Sequence, residues 1–336
     1  MRTGEVKVLL VRVSTDTQDV ARQENEIKKN SLEKNFVRIQ VHAIGLNYVD
    51  ILMIKGTYQH YKTAPFTPGI EASGIIIEEN CNNKKLLNKK VIVNKKGGCF
   101  SEEILAKLND IIIIPRKIDC ALAAGSFINY LTSYVSLIEI AKLKKKQNLL
   151  ITGASGGVGT ASIKLAKKTN ANVISIVSNK EKKKYVKKIG SDKVILIDSK
   201  ELDNISLYKK KYSIDLILDI SGLIKKKKIL SFLKWKGKYL IVGFMDNNIY
   251  HIACNYILIK GLSIFGIRAG EYLKRSEKKN SIIKKIIRII QEDSLKAKGY
   301  NLVEFNKIIK SLKNLENRTS LGKNIAVTKH YKKNSL

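Results

Sequence analysis

The chain has 336 residues, of which 44% are hydrophobic, enough for about two domains that each bury a core. Its four cysteines, Cys81, Cys99, Cys120 and Cys254, form no C-x-x-C pair, which excludes a zinc ribbon and a disulfide framework. The formal charge of +34 comes from lysines scattered in short runs with Asn and Ile, so we interpret it as solvated faces and do not expect a nucleic-acid partner.

The N-terminal half of the chain indicates a soluble β-rich domain. The first residues, MRTGEVKVLLVRVSTDTQD, contain no apolar block before a small-residue cleavage site. No apolar run approaches the roughly 20 residues of a membrane span. We therefore expect a cytoplasmic protein with no membrane partner. Before about residue 120, the short apolar runs VRIQV, GIIIE, VIVN and IIII are broken by Gly, Pro and Asn clusters, which predicts strands.

From Leu149 onward, apolar runs of strand length alternate with helical stretches. The predicted strands are LLIT, Asn172–Val177, Val194–Ile197, Asp215–Asp219, Tyr239–Gly243 and Leu262–Ile267. Repeated β-α units predict a doubly wound parallel sheet with helices on both faces. Beyond about Asn280 follow helices to Leu315 and a last strand, Asn324–Thr328. We predict a nucleotide-binding domain over 122–267, inserted in a β-rich domain formed by 1–121 and 268–336.

A glycine-rich turn lies between the strand LLIT and a helix with the apolar stripe Val158, Ala161 and Leu165. Such a turn lets backbone N–H groups approach a phosphate at the positive end of the helix dipole. Ala154 takes the first glycine position of the G-x-G-x-x-G pattern, and the surrounding β-α units strengthen that pattern. We expect five residues at a dinucleotide pyrophosphate: Ala154, Gly156, Gly157, Val158 and Gly159.

The end of the next strand predicts which dinucleotide binds. NAD enzymes place an acidic residue there, against the ribose hydroxyls. This chain has Ser178 and Asn179 instead, with Lys180 and Lys182 just beyond, so nothing repels a 2′-phosphate and we predict NADPH. For each lysine, a solvated helix face is the alternative.

Several motifs in order resemble the medium-chain dehydrogenase/reductase superfamily, and within it the zinc-free NADPH:quinone oxidoreductases related to zeta-crystallin. They are GLNYVDILMIKGTY (45–58), PFTPGIEASG (65–74), NYLTSY (129–134), GASGGVG (153–159), LIVGF (240–244) and GKNIAV (322–327). The resemblance implies a Rossmann domain inserted in a GroES-like catalytic domain, and a homodimer. Ile197 departs from the family, which often has a Tyr there over the adenosine end.

The resemblance also implies chemistry without a metal. Zinc alcohol dehydrogenases of the superfamily have a Cys where this chain has Asn47 and a His where it has Ile70. An amide and an alkyl group do not replace the thiolate and imidazole that zinc prefers. Without a Lewis acid, a quinone or α,β-unsaturated carbonyl is the better hydride acceptor, because it delocalises the charge onto its own oxygen.

The same resemblance assigns candidate roles to individual residues. Asn47 matches an Asn near the nicotinamide ribose, and Thr132 a residue beside the nicotinamide, while Gly243 and Phe244 of LIVGF are further cofactor contacts. Tyr58 matches a tyrosine that acts near the substrate carbonyl in enoyl-thioester reductases. The alternatives are a structural turn for Asn47, a helix cap for Thr132 and an exposed loop for Tyr58. For the matching acidic residues Asp50 and Glu71, we favour a fold-supporting role.

The predicted activity is hydride transfer from NADPH to a quinone or α,β-unsaturated carbonyl, with Tyr58 and Asn47 as catalytic candidates. A 2-enoyl-thioester reductase is an alternative in the same superfamily, and an RNA-binding zeta-crystallin-like protein is one of another class. Tyr256 and Lys260 also fit the Y-x-x-x-K of short-chain reductases. We reject that family, because about 150 residues precede the glycine turn and Tyr256–Lys260 looks buried.

Overall fold

The computed structural model describes residues 32–59, 66–197, 213–222, 229–244, 251–252, 254–294 and 299–332. The expectation of no secretory signal falls on residues outside this described part. Contacts between Cα atoms divide the chain into two compact units, Met1–Phe127 with Ile289–Leu336 and Ile128–Arg288. The domain bounds of 122–267 stay a prediction, because such contacts define compact units and not independently folding domains.

The strands and helices of the described residues are numbered here in chain order. The strands are β1 (Phe36–Gly45), β2 (Glu71–Glu79), β3 (Lys90–Asn94), β4 (Glu103–Lys107), β5 (Ile111–Ile113), β6 (Asn148–Thr152), β7 (Asn172–Val177), β8 (Lys193–Leu196), β9 (Ile214–Asp219), β10 (Leu233–Ile241), β11 (Ser263–Gly266), β12 (Tyr300–Glu304) and β13 (Lys323–Val327). The helices are α1 (Tyr48–Ile54), α2 (Cys120–Tyr134), α3 (Gly157–Lys168), α4 (Lys180–Ile189), α5 (Cys254–Lys260), α6 (Ala269–Arg275), α7 (Lys279–Ser294) and α8 (Ile308–Glu316).

The first unit contains a seven-stranded sheet in the order β12-β13-β1-β2-β3-β5, with β4 also paired to β1. All pairs are antiparallel except β12 with β13. Alternate residues of β1, among them Val37, Ile39 and Val41, are fully buried, as expected for a strand with one face on a core. Strand β13 lies late in the chain and pairs antiparallel with β1, so segments from before residue 121 and after residue 268 form one sheet.

The second unit contains a six-stranded parallel sheet in the order β8-β7-β6-β9-β10-β11. Counted from the first strand of the unit, this is the 3-2-1-4-5-6 order of a Rossmann fold. From β6, the following strands β7 and β8 are added on one side, and β9, β10 and β11 are added on the other, so the strand order reverses between β6 and β9. The carboxyl ends of these parallel strands meet at one edge of the sheet. The predicted α/β class is therefore confirmed, and the topology indicates a ligand site at that edge.

The predicted bounds of several elements differ from the observed ones. Strand β7 matches its prediction, but β10 begins at Leu233 and not at Tyr239. The segment LKWKGK was missed because residues 234–236 are exposed and show no apolar alternation. Ile197 lies in a turn after β8. The predicted helix through Phe232 is a short 3₁₀ turn over Ile229–Phe232, and residues 223–228 lie outside the described part.

The structure bears on two expectations about apolar segments, of which the second, the burial of Tyr256–Lys260, was wrong. Helix α2 and a π-helical turn, Val135–Ile140, together form a helix long and apolar enough to cross a membrane by length and composition, although 83% of that window is buried inside the protein. The second concerns α5, which contains the Tyr256–Lys260 stretch predicted to be buried. Leu258 is 81% exposed and Ile259 is 70% exposed. Apolar composition does not distinguish a core segment from an exposed apolar face.

Candidate functional site

The glycine turn connects β6 to α3 at the carboxyl edge of the parallel sheet. Gly153 has a φ of 61°, in the left-handed region that favours glycine. Gly156 is the N-cap residue of α3. A Cβ atom on Gly159, within the first turn of α3, would lie 2.5 Å from the Cα atom of Ala154, so a side chain there would push the helix off the strand end. The turn therefore has the tight approach of helix to strand that the sequence pattern predicts.

The N-terminal end of α3 has room for a ligand next to Gly156. A Cβ atom on Gly156 would meet only the carbonyl oxygen of Gly153, at 3.6 Å. One on Gly157 would lie 2.8 Å from the side chain of Asn129. Val158 is partly buried, and its carbonyl oxygen accepts a hydrogen bond from Ser133 Oγ at 3.2 Å, which ties α3 to α2. These residues fit a pyrophosphate bound by the backbone N–H groups of a helix N-terminus.

Ser178 and Lys182 lie together beyond the carboxyl end of β7. Lys182 Nζ donates a hydrogen bond to Ser178 Oγ over 3.0 Å, and the lysine is only 7% exposed. Asn179 caps α4, because its side-chain oxygen accepts from the backbone N–H of Lys182 at 2.8 Å. Lys182 is therefore folded back onto the strand end and is not a solvated side chain on the helix face, whereas Lys180 is exposed.

Asp219, at the end of β9, is a buried carboxylate that organises the same edge. It accepts hydrogen bonds from the hydroxyls of Thr152 and Tyr239 and from the backbone N–H groups of Ser221 and Gly222. Thr152 immediately precedes the glycine turn. The carboxylate thus joins the ends of β6, β9 and β10, and the sequence analysis did not identify it.

Gly243 and Phe244 follow β10 at this edge. The loop Ile220–Gly222 lies beside both of them, since a Cβ on Gly243 would be 3.4 Å from the carbonyl oxygen of Ile220 and one on Gly222 would be 3.3 Å from Phe244 Cα. The same loop borders the glycine turn, where a Cβ on Gly153 would be 3.3 Å from Ser221 Cβ. The structure therefore brings the glycine turn and the Gly243–Phe244 segment to the two sides of one loop.

Thr132 does not cap a helix start. It lies near the end of α2, and its carbonyl oxygen accepts a hydrogen bond from Ser136 Oγ at 2.6 Å. The π-helical turn Val135–Ile140 begins three residues later. Because Thr132 lies near the end of α2, the alternative that it caps a helix start was wrong. Its side chain is partly exposed, and its role at the nicotinamide stays a prediction.

Asn47 belongs to a polar cluster in the first unit. It is the N-cap residue of α1, and its side chain points to three neighbours. Lys323 Nζ donates to Asn47 Oδ1 over 2.6 Å, while Asn47 Nδ2 donates to the carbonyl oxygen of Gly45 over 3.0 Å and to Glu71 Oε2 over 3.2 Å. Lys323 and Glu71 also form a buried ion pair, with 3.1 Å between Nζ and Oε2.

A second carboxylate, Asp50, lies against this cluster. Its Oδ2 accepts a hydrogen bond of 2.7 Å from the backbone N–H of Asn47, while Oδ1 is buried without a partner of normal hydrogen-bond geometry among the described residues. Burial raises the pKa of Asp50 to about 7, although the Asn47 hydrogen bond and the Lys323 charge oppose this rise. Asp50 and Glu71 thus contact Asn47 and its partner Lys323, and their predicted fold-supporting role stays a prediction.

Tyr58 lies at the other end of α1 from Asn47. The helix has seven residues, about 10 Å at 1.5 Å per residue, and Tyr58 is partly exposed in a bend just after it. The two catalytic candidates therefore flank opposite ends of α1. Residues 60–65, which follow Tyr58, lie outside the described part.

Lys323 and Asp219 are the two buried charged groups of these clusters that were not predicted as site residues from the sequence. Lys323 follows Gly322 in the motif GKNIAV, and Asp219 ends the apolar run DLILD. A charged residue at the edge of an apolar strand is the signal that both share. Among the described residues, no group of three or more His, Cys, Asp or Glu side chains could hold a metal ion.

Comparisons with known proteins agree with both halves of this architecture. A family model described as alcohol dehydrogenase GroES-like domain matches residues 33–132, and one described as zinc-binding dehydrogenase matches residues 157–288. The chain is 30% identical over 254 residues to a quinone oxidoreductase-like protein 2 homolog of Nematostella vectensis, covering 75% of this chain and 70% of the relative. It is 29% identical to a quinone oxidoreductase of Homo sapiens, covering 72% and 75%.

Among solved structures, an Escherichia coli quinone oxidoreductase complexed with NADPH has the same fold. It superposes with a TM-score of 0.79 at 21% identity, covering 88% of this chain and 92% of the other. The order of the motifs, the sheet topology and the similarity to the Nematostella protein lead to one assignment. The chain is a member of the quinone oxidoreductase-like family of the medium-chain dehydrogenase/reductase superfamily.

Proposed function

We propose that this protein transfers a hydride from NADPH to a quinone or another α,β-unsaturated carbonyl compound without a metal ion. The single observation that carries the cofactor assignment is the pair formed by Lys182 and Ser178 at the carboxyl end of β7, 3.0 Å apart. A cation and a hydroxyl there favour a 2′-phosphate, where an acidic residue would repel it.

The proposed role of the second unit is to hold the dinucleotide. The N–H groups at the start of α3 bind the pyrophosphate, and Lys182 with Ser178 binds the 2′-phosphate. Gly243 and Phe244 line the same edge on the far side of the loop Ile220–Gly222. When bound, NADPH supplies the hydride. That the Escherichia coli relative of similar fold was solved with NADPH supports the same cofactor here.

Metal-free chemistry is part of the proposal, and the polar cluster of the first unit supports it. Asn47 replaces the cysteine of the zinc enzymes, and its oxygen already accepts a hydrogen bond from the Lys323 ammonium. A bound cation next to Asn47 Oδ1 would have to displace or repel this buried ammonium. A conjugated acceptor needs no Lewis acid, because the charge it gains is delocalised onto its own oxygen.

The proposed roles in the reaction are divided between orientation and proton supply. The proposed nicotinamide contacts are Asn47 and Thr132. The proposed proton donor to the oxygen or α-carbon of the reduced substrate is Tyr58 or water. Hydride and proton together then complete a two-electron reduction. A 2-enoyl-thioester would be reduced by the same steps, so it is the alternative substrate class.

The experiment is a stopped-flow comparison of NADPH and NADH oxidation by the full chain with 1,2-naphthoquinone, a simple enone and a crotonyl thioester. We expect faster oxidation of NADPH than of NADH, with the quinone or the enone, and no loss of rate after dialysis against a chelator. Turnover with crotonyl thioester alone would assign the alternative substrate class. Oxidation of neither nucleotide would contradict the proposal.

We also propose a homodimer in the cytoplasm. The described residues include nine large, exposed hydrophobic side chains, and four of them, Trp235, Tyr256, Leu258 and Ile259, lie on β10 and α5, beside the edge strand β11. We call these four residues the α5 patch. Trp235 lies against the end of α5, where a Cβ on Gly261 would be 3.5 Å from its ring. An apolar patch at an open sheet edge favours pairing with an identical edge.

A further inference from the structure

The second unit carries exposed lysines at the edge of its parallel sheet opposite the glycine turn. Because the strands are parallel, their amino ends and the segments that lead into them lie at this edge. We call the exposed lysines in these segments the lysine edge. They are Lys142 and lysines 144–146 before β6, Lys187 and Lys188 before β8, and Lys236 near the start of β10.

Contacts between these segments make the lysine edge continuous. Lys238 Nζ on β10 donates to the carbonyl oxygen of Ala141 over 2.8 Å, which joins the start of β10 to the segment before β6. The backbone N–H of Lys146 donates to the carbonyl oxygen of Asn170 over 2.9 Å, which joins that segment to the start of β7. Strand β7 pairs with β8. From β8 to β10 the edge crosses four strand spacings, about 19 Å.

The positive charge of the lysine edge is not cancelled by the nearby carboxylates. Asp192 and Asp215 lie at the same edge, before β8 and at the start of β9. Asp192 forms an ion pair with Lys167, and Asp215 forms one with Lys234, so each carboxylate is matched by a lysine outside the lysine edge. The exposed lysines therefore give this edge a positive potential.

Three of these lysines have a backbone conformation that does not favour lysine. The φ angles of Lys142, Lys146 and Lys236 are 53°, 65° and 59°, in the left-handed region. Glycine and asparagine adopt this region more readily than lysine does. Lys187 and Lys188, in the last turn of α4, suit the negative end of the helix dipole. Local structure thus accounts for those two lysines but not for the first three.

The composition of the lysine edge favours a partner with diffuse negative charge. All its cations are lysines, which are hydrated point charges, whereas arginine suits the bidentate recognition of single phosphates. Surfaces for single-stranded nucleic acid combine cations with aromatic rings that stack on bases. Trp235 is the exposed ring beside the lysine edge, but it lies against the end of α5 and belongs to the α5 patch.

We propose that the lysine edge binds the surface of a membrane that contains anionic lipids. Lysines spread over about 19 Å match a planar layer of headgroups, whose potential attracts each of them. The expectation of no membrane partner rested on the length of apolar runs, and electrostatic binding at a surface needs no such run. Because the glycine turn lies at the opposite edge of the sheet, the two sites are separate.

The test is sedimentation of the full chain with vesicles of phosphatidylcholine alone, or of phosphatidylcholine and phosphatidylserine in equal parts. We expect binding only to the vesicles with phosphatidylserine, and weaker binding as the salt concentration rises. The triple variant Lys142→Asn, Lys146→Asn, Lys236→Asn should bind these vesicles about ten- to a hundredfold more weakly, since each lysine near an anionic surface contributes about fivefold. Asparagine suits the left-handed region, so this variant should keep its fold.

A matched control makes the same change in net charge in the first unit. It is the triple variant Lys84→Asn, Lys85→Asn, Lys89→Asn, whose lysines are also exposed. This control should bind phosphatidylserine vesicles within about twofold of wild type. Equal losses in the two triple variants would show that total charge and not the lysine edge determines binding, and would overturn the inference. So would wild type that does not sediment with phosphatidylserine vesicles.

NADPH binding and RNA binding separate the proposal from its alternatives. The fluorescence of NADPH should report the same affinity for wild type and for the Lys142, Lys146 and Lys236 variant. If this variant loses NADPH binding because its fold is disturbed, Lys144→Glu with Lys145→Glu replaces it in the vesicle experiment and should bind as weakly. Polyuridylate that binds wild type more tightly than the vesicles do, and binds the variant more weakly, would assign the edge to nucleic acid and overturn the inference.

Discussion

Gly159 and Ala154 pack so closely that a Cβ atom on Gly159 would lie 2.5 Å from the Cα, carbonyl carbon and carbonyl oxygen of Ala154. Because these are backbone atoms, they cannot move aside as the end of a flexible side chain does. The contact sets how closely α3 approaches the end of β6, and therefore where the N–H groups of the helix N-terminus lie. Two glycine variants separate this packing role from direct contact with a phosphate.

Gly159→Ala should destabilise the second unit and weaken NADPH binding, because the added methyl group displaces α3 from the strand end. Overpacking of this kind costs about 1–3 kcal/mol of unfolding free energy. Gly156→Ala is the matched control, since its Cβ would meet only one atom, at 3.6 Å, and its φ of −83° suits alanine. We expect Gly156→Ala to retain its stability and to bind NADPH more weakly, in denaturant titrations and fluorescence titrations respectively. Equal losses of stability in both variants would contradict this explanation.

Lys182→Ala should reduce the preference for NADPH over NADH. The loss of one buried cation near the 2′-phosphate should weaken NADPH binding about tenfold and leave NADH binding within about twofold. Lys184→Ala is the control, because Lys184 is exposed on the same helix. The ratio of kcat/KM for the two nucleotides is the measurement. An unchanged ratio of kcat/KM in Lys182→Ala would show that this lysine does not bind the 2′-phosphate.

The fold of the second unit could be predicted largely from the sequence, because its signals are local. An apolar run of strand length, a glycine turn and an amphipathic helix follow one another within about 20 residues from β6 to α3. The start of β10 was missed because an exposed strand segment lacks the alternation of a half-buried strand. The exposure of α5 was missed for the opposite reason, since its residues are apolar and lie on a surface.

The site could be predicted only where a motif is contiguous. Ala154, Gly156 and Gly159 were identified from the spacing of the glycine pattern. Ser178 and Lys182 were identified because they follow the glycine turn by about 20 residues, at the end of the next strand. Lys323 contacts Asn47 across 276 residues of sequence, and Thr152 contacts Asp219 across 67 residues. Such contacts depend on which strands become neighbours, and one sequence contains no local pattern that shows this.

Asp219→Ala should lower the unfolding free energy by about 3–5 kcal/mol, because it leaves the buried hydroxyls of Thr152 and Tyr239 and two backbone N–H groups without their acceptor. Tyr239→Phe removes one of these donors and should cost about 1–2 kcal/mol. Denaturant unfolding measures both. If the two variants were equally stable, the carboxylate would not be the centre of this network.

The stability of the protein should depend on pH through Asp50. Burial raises its folded-state pKa from 3.8 to about 7, so the folded protein binds this proton more tightly than the unfolded chain does. The resulting stabilisation is complete below about pH 4 and is lost as the pH rises through 7, with a size of up to about 4 kcal/mol. Asp50→Asn has no carboxyl group at this position and therefore lacks this pH dependence. The difference in unfolding free energy, wild type minus variant, should therefore fall between pH 4 and 8, and parallel curves would contradict the assignment.

Leu258→Glu should convert the proposed dimer into a monomer. Leu258 is 81% exposed in the α5 patch, and a carboxylate there would have to be buried without a partner against a second copy. Leu302→Glu is the control, because Leu302 is also an exposed leucine but lies on β12, in the sheet of the first unit. Sedimentation equilibrium should show a dimer for wild type and Leu302→Glu, and a monomer for Leu258→Glu. If all three sedimented alike, α5 would not form the interface, and its exposed apolar residues would need another explanation.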